Sequence, residues 1–134
     1  MLVQVEPVRQ PAAEPTSVRV RTEVGSAVVV WRDGAGEAAE GQHHIEWTVD
    51  EDIAWAGNTC AAAASTSEVR EDGSHIVFRG RLSLTEDGAA VLEVGGALIL
   101  FDLDPAGPPP DDADGSWVEV HAARSRVSVW PYRC

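Results

Sequence analysis

Cysteine is scarce in this chain, with Cys60 and Cys134 the only two. Two cannot build the disulfide framework of a small secreted scaffold, and their spacing matches no zinc motif. They read as free thiols of a protein in a reducing cytoplasm, although sequence separation alone leaves a Cys60–Cys134 bridge open. Long apolar runs are missing as well. No window holds the ~18 consecutive apolar residues of a transmembrane helix. Residues 1–10, with Glu6 early and no apolar core, do not resemble a secretory signal. Basic residues are few, ten against 22 acidic, for a formal net charge of −12. Like charge repels a phosphate backbone and an anionic membrane, so nucleic acid and membrane are disfavoured partners. A basic protein is the natural electrostatic complement, although acidity also serves solubility alone.

Catalytic signatures are absent too. There is no Gly-x-Ser-x-Gly elbow, P-loop or dinucleotide fingerprint, and no HxxxH or HExxH spacing. His44 and Glu46 stand two residues apart on one strand face, but zinc needs a third ligand, which only His75 or His121 in the right register would supply. Asp112-Ala113-Asp114-Gly115 is a fragment of a calcium loop without the glutamate that closes one. Both sets read as solvated side chains, and no metal or cofactor is expected. Cys60 with a histidine would form a nucleophile pair only if the fold brought them together.

What the chain does have is alternation. Ile76, Phe78, Gly80, Leu82 and Leu84 interleave with His75, Val77, Arg79, Arg81 and Ser83, a period of two with one apolar face. Glu86-Asp87-Gly88 then reads as a hairpin turn. Five β-rich stretches emerge, at 18–32, 43–56, 75–86, 89–103 and 116–131, each longer than a typical strand of about five or six residues. Gly25 and the Gly95-Gly96 pair interrupt two of them and suggest bulges or bends. Residues 1–17, with Pro7, Pro11 and Pro15, read as an extended leader or edge strand. Residues 104–115 carry four prolines and four aspartates and read as an exposed, partly stiff loop. The alanines at 61–64 predict a short helix over 59–67 by propensity.

At 134 residues the chain suits one domain, able to bury about two-thirds of its unfolded surface. Long glycine-bent strands over 18–134 predict an all-β fold with one short helix: a small closed or partly open antiparallel β-barrel. It would be similar to the oligonucleotide/oligosaccharide-binding barrel, although the helix at 59–67 falls earlier than in that arrangement. A β-sandwich is the alternative. The resemblance is one of fold shape and does not extend to a family or a function.

Five tryptophans are many for this length. Trp31 and Trp47 share faces with aliphatic residues and read as core. Trp117 shares its face with Glu119 and His121, and Trp130 shares its face with Arg126 and Ser128, so these two are the candidate binding anchors. Arg79 and Arg81, on the polar face of the central strand, read either as cross-strand ion pairs or as an anion-binding pair. The leading functional reading is a non-enzymatic, acidic interaction module. It would bind a protein partner, basic by charge complement, or a second copy of itself, through a Trp-containing strand face, as an inhibitor or immunity-type protein does. The alternative is a small-ligand or saccharide-binding barrel that uses Trp117, Trp130, Arg79 and Arg81. A small enzyme centred on His121, His75 or Cys60 is the third class.

Overall fold

The computed structural model describes residues 1–8, 17–32 and 40–131. Its strands are β1 (Leu2–Pro7), β2 (Ser17–Thr22), β3 (Gly25–Trp31), β4 (Gly41–Val49), β5 (Thr59–Ala61), β6 (Glu68–Asp72), β7 (His75–Leu84), β8 (Ala89–Val94), β9 (Ala97–Asp102), β10 (Trp117–Ala123) and β11 (Val127–Pro131). Five of them close into a barrel in the order β1-β2-β3-β11-β4 and back to β1. All its neighbours are antiparallel except β3 and β11, which run parallel through Ser128↔Val30 and Val129↔Trp31. Closure removes the exposed edges that an open sheet would leave. The alternation in the sequence sends Val3, Val5, Val18, Val20, Val29, Ile45 and Val129 inward, all nearly or fully buried.

The six strands between β4 and β11 build a second sheet against this barrel. β10 pairs with β5 on one side and with β7 on the other. The free edge of β7 is shared: residues 75–79 pair with β6 and residues 81–84 with β8, which carries β9 as a hairpin. Gly80 sits at the handover. A Cβ there would meet the Glu93 carbonyl oxygen at 2.3 Å, so only glycine lets β8 approach. Gly25 has the same role where β3 touches β6. Its φ is +137°, and a Cβ would lie 1.8 Å from the Val69 carbonyl oxygen. The two sheets share one core, with Trp47 of β4 edge-on to the fully buried Phe78 of β7 at a centroid distance of 5.3 Å.

The all-β barrel expected from the alternation is therefore the fold, and several details differ. The stretch 18–32 is a β2–β3 hairpin rather than one bent strand. Gly95 (φ +54°) and Gly96 (φ +90°) form a full hairpin turn rather than a bulge, because two consecutive positive φ angles give the two-residue turn that reverses a chain. Residues 59–67 form β5 and a bent connection in place of the predicted helix. Ala61 and Ala63 are exposed, and with no apolar face to bury, pairing with β10 outweighs alanine's helix propensity. The helical turn found among the described residues is a single 3₁₀ turn, Arg124–Arg126. Leu2–Pro7, expected as leader or edge strand, is hydrogen-bonded on both sides by β2 and β4. The rest of the expected leader, residues 9–16, and the second cysteine, Cys134, lie outside the described residues. Among the described residues no helix is long and apolar enough to cross a membrane.

Candidate functional site

Strand register assembles the outward face of the second sheet into lateral rows. One row runs Glu68–Arg79–Glu119–Cys60 across β6, β7, β10 and β5. Its neighbour, two residues along, runs Arg70–Val77–His121. In the other direction the row is Trp117–Arg81–Glu93–Leu98, across β10, β7, β8 and β9. The next row continues Ser83–Val91–Leu100. Five of the six residues singled out from the sequence thus share one face: Trp117, Glu119, His121, Arg79 and Arg81.

Trp130 does not join them. It lies on β11 opposite Glu46, and three strands, β3, β6 and β7, separate β11 from β10. It is nevertheless the more exposed of the two candidate anchors, at 47%, whereas Trp117 is half-buried. Trp31 and Trp47 are core residues, at 5% and 7% exposure.

The two arginines have separate employments. Arg79 belongs to a closed ring of four charges. Its Nη1 donates to Glu119 Oε2 at 3.3 Å and its Nη2 to Glu68 Oε2 at 3.4 Å. Arg70 completes the ring on the other oxygens, Nη1 to Glu68 Oε1 at 3.3 Å and Nη2 to Glu119 Oε1 at 3.5 Å. Arg79 also grips Thr66 through its carbonyl oxygen and hydroxyl. Two cations and two anions, with the Arg79 and Glu119 side chains each 16% exposed, make a neutral, half-buried clamp between β6, β7 and β10. The clamp leaves Arg79 committed to neighbours within the chain, and this geometry favours the ion-pair reading over an anion site. Arg81 is exposed and donates from Nε to the Gly115 carbonyl oxygen at 3.2 Å, beside Trp117.

The residues of the enzyme reading do share a cleft. Cys60, His75 and His121 line one depression with Glu51, Asp72 and Asn58. Their polar atoms are engaged mostly elsewhere. Glu51 Oε1 accepts from the Ala123 N–H at 3.0 Å, His75 Nδ1 lies 3.5 Å from the Ser74 hydroxyl, and His121 Nε2 is 3.9 Å from Glu119 Oε1. Cys60 is an exposed free thiol. No three His, Cys, Asp or Glu side chains among the described residues converge as a metal would require. The aspartates of the 104–115 loop serve the backbone instead. Asp114 Oδ1 accepts from the Leu84 N–H and Asp104 Oδ1 from the Ala106 N–H, both at 2.9 Å.

The sequence reading passed over Leu98 and Leu100. They point outward from β9 and are 66% and 70% exposed, the two most exposed large apolar side chains described. The signal was present: Ala97-Leu98-Ile99-Leu100-Phe101 is apolar at every position, so a strand with one face in the core must show leucines on the other. No family model matches this chain, and no curated protein or solved structure is significantly similar to it.

Proposed function

We propose that this protein is a non-enzymatic, acidic interaction module that binds a protein partner through the outward face of its second sheet. The row Trp117–Arg81–Glu93–Leu98, extended by Leu100, carries this reading. It combines a half-buried indole, an exposed guanidinium, a carboxylate and two leucines standing in water. Aromatic and arginine anchors with apolar contacts beside them are the composition of protein interfaces. Isolated exposed leucines are ordinary, but two on one strand next to Val91 and a tryptophan row form a patch. The formal charge of −12 favours a basic partner and a fast, salt-sensitive encounter. An inhibitor or immunity-type role, covering a basic surface, needs no catalytic constellation.

The experiment compares wild type with a Leu98→Ser/Leu100→Ser variant and with Leu2→Ser, an exposed leucine elsewhere. Each is used to capture partners from source cells at low and high salt, with native mass spectrometry of the complex. A stoichiometric partner held by wild type and Leu2→Ser, released by salt and lost from the double variant supports the reading. Equal capture by all three chains, or none by any, overturns it.

The barrel itself favours a second reading. Five strands closed with one parallel pair are similar to the oligonucleotide/oligosaccharide-binding barrel, a fold that hosts small-ligand and saccharide sites. The residues first considered for such a ligand do not converge, since Trp130 is on the barrel while Trp117 and Arg81 are on the second sheet.

A further inference from the structure

One depression of the molecule is not on the proposed partner face. It lies where the barrel meets the corner between β10 and β11, with a volume of about 510 Å³. That is within the size range of small-molecule sites. Val30 and Arg32 from the β3 side, Ser74 from the β6–β7 turn, and Ala123, Arg124 and Ser125 from the corner line it.

The charge of this lining runs against the rest of the chain. The protein has 22 acidic and ten basic residues, yet two arginines and no described carboxylate line this notch. The walls are fixed by backbone bonds: Arg124 N–H to Ser74 O at 2.9 Å and Arg32 N–H to Val129 O at 3.1 Å. Arg124 uses one nitrogen of its fork, Nη2, for the Gly73 carbonyl oxygen at 3.0 Å and Glu71 Oε1 at 3.4 Å. Its Nε–H is shielded from solvent and has no acceptor among the described residues. Shielded donors without acceptors are rare in native proteins and ask for an explanation. Arg32 is exposed, and no described carboxylate pairs with its guanidinium. A guanidinium carries five donors in a planar fork suited to carboxylate and phosphate oxygens.

We propose that the notch between Arg32 and Arg124 binds a small organic oxyanion, a carboxylate or phosphate monoester carrying a short apolar body. The oxyanion bridges the two guanidiniums, with the Ser74 and Ser125 hydroxyls at its rim. The apolar body rests on Val30 and Ala123. This site shares no residue with the partner row Trp117–Arg81–Glu93–Leu98, and Ala123 stands at the opposite end of β10 from Trp117.

The test is an NMR titration of the full ¹⁵N-labelled chain, read at backbone amides and arginine Nε–H signals. The probes are benzoate, phenyl phosphate and neutral benzamide. Saturable shifts at residues 74, 123–125 and 32 with either anion, and none with benzamide, are expected. The stronger of the two anions identifies the headgroup. Arg32→Gln weakens that binding about tenfold, the loss of one charge-assisted contact. Arg124→Gln is the less clean variant because Arg124 also ties down the Gly73 turn, so Arg32→Gln decides. Leu98→Ser/Leu100→Ser leaves the anion response unchanged, which keeps this result separate from the fate of the partner reading. Absence of saturable shifts with both anions, an equal response to benzamide, or an unchanged affinity in Arg32→Gln overturns the proposal.

Discussion

Ala56 is the one non-glycine residue described with a positive φ, at 63°. It sits in a loop tied by Asn58, whose Oδ1 accepts from the Ala54 N–H at 2.9 Å and the Thr59 hydroxyl at 2.8 Å, and whose Nδ2 donates to the Asp52 carbonyl oxygen at 2.9 Å. The left-handed conformation costs an L-residue about 1–2 kcal/mol. Glycine escapes that cost but gives up about 0.5–1 kcal/mol in unfolded-chain entropy. Relief is the larger quantity, so Ala56→Gly stabilises by about 0.5 kcal/mol, seen as a higher urea midpoint at unchanged slope. Ala61→Gly, the same change in extended β5, lowers the midpoint. A second residue, Asp87, titrates below its ordinary value of 3.8, first because the Thr85 hydroxyl donates to its carboxylate and then through a backbone hydrogen bond. A depressed carboxyl contributes stability that is fully present above the unfolded value and is lost as pH falls through the folded one. Thr85→Val therefore moves the Asp87 midpoint, followed by carboxyl ¹³C shifts, upward towards 3.8. An unmoved midpoint would show that the hydroxyl is not the cause.

Elements show what was and was not legible in the chain. Alternation named β2 to β4 and β7 to β11 with their inward faces, because period two and burial are the same fact seen twice, whereas β5 was expected as helix and β6, with Val69 its one apolar residue, gave no such signal. It did not reveal where a long stretch folds back. Gly25 and Gly95-Gly96 look alike in sequence as strand breaks. Only pairing shows that the chain reverses at both, and that Gly25 in addition abuts Val69. Site residues fared the same way: facing was readable on each strand, whereas the rows that join Arg79 to Glu119 and Trp117 to Leu98 depend on register. Gly80 gives a sharp test of that register. In Gly80→Ala a methyl group meets the Glu93 carbonyl oxygen, a backbone atom that cannot swing aside. The expected loss is about 2–3 kcal/mol, with amide exchange rising first at Arg81 and Glu93, where β7 and β8 pair beside Gly80. The four-charge clamp is the other device at this scale. Arg79→Met leaves Arg70 as the one arginine shared by Glu68 and Glu119. It costs about 2 kcal/mol by chemical denaturation, more than an exposed ion pair would, because the pair it breaks is half-buried.

At the scale of the whole molecule the question is whether barrel and second sheet are one folding unit. The chain enters the second sheet after β4 and returns for β11, so the barrel cannot close until the intervening strands have been laid down. The return also places β11 beside β3, a parallel pair far apart in sequence. Long separations of this kind carry the loop-closure cost that slows β-rich folding. A single cluster of buried side chains runs from Val5 and Val18 of the barrel to Leu92 and Ile99 of the second sheet, with no polar layer between. Trp47 against Phe78 is its direct link. Two half-structures split along this seam would each expose that apolar surface to water, at roughly 25 cal/mol per Å². Independent unfolding is therefore disfavoured, and urea should melt the chain in one transition. Tryptophan fluorescence and far-ultraviolet circular dichroism should give coincident curves. Phe78→Ala, fully buried in the wild type, should lower stability by about 3–5 kcal/mol while keeping the two curves superimposed. Curves that separate in Phe78→Ala would mean that the barrel stands without the sheet inserted into it, and that Phe78 is the tie between two units rather than the centre of one.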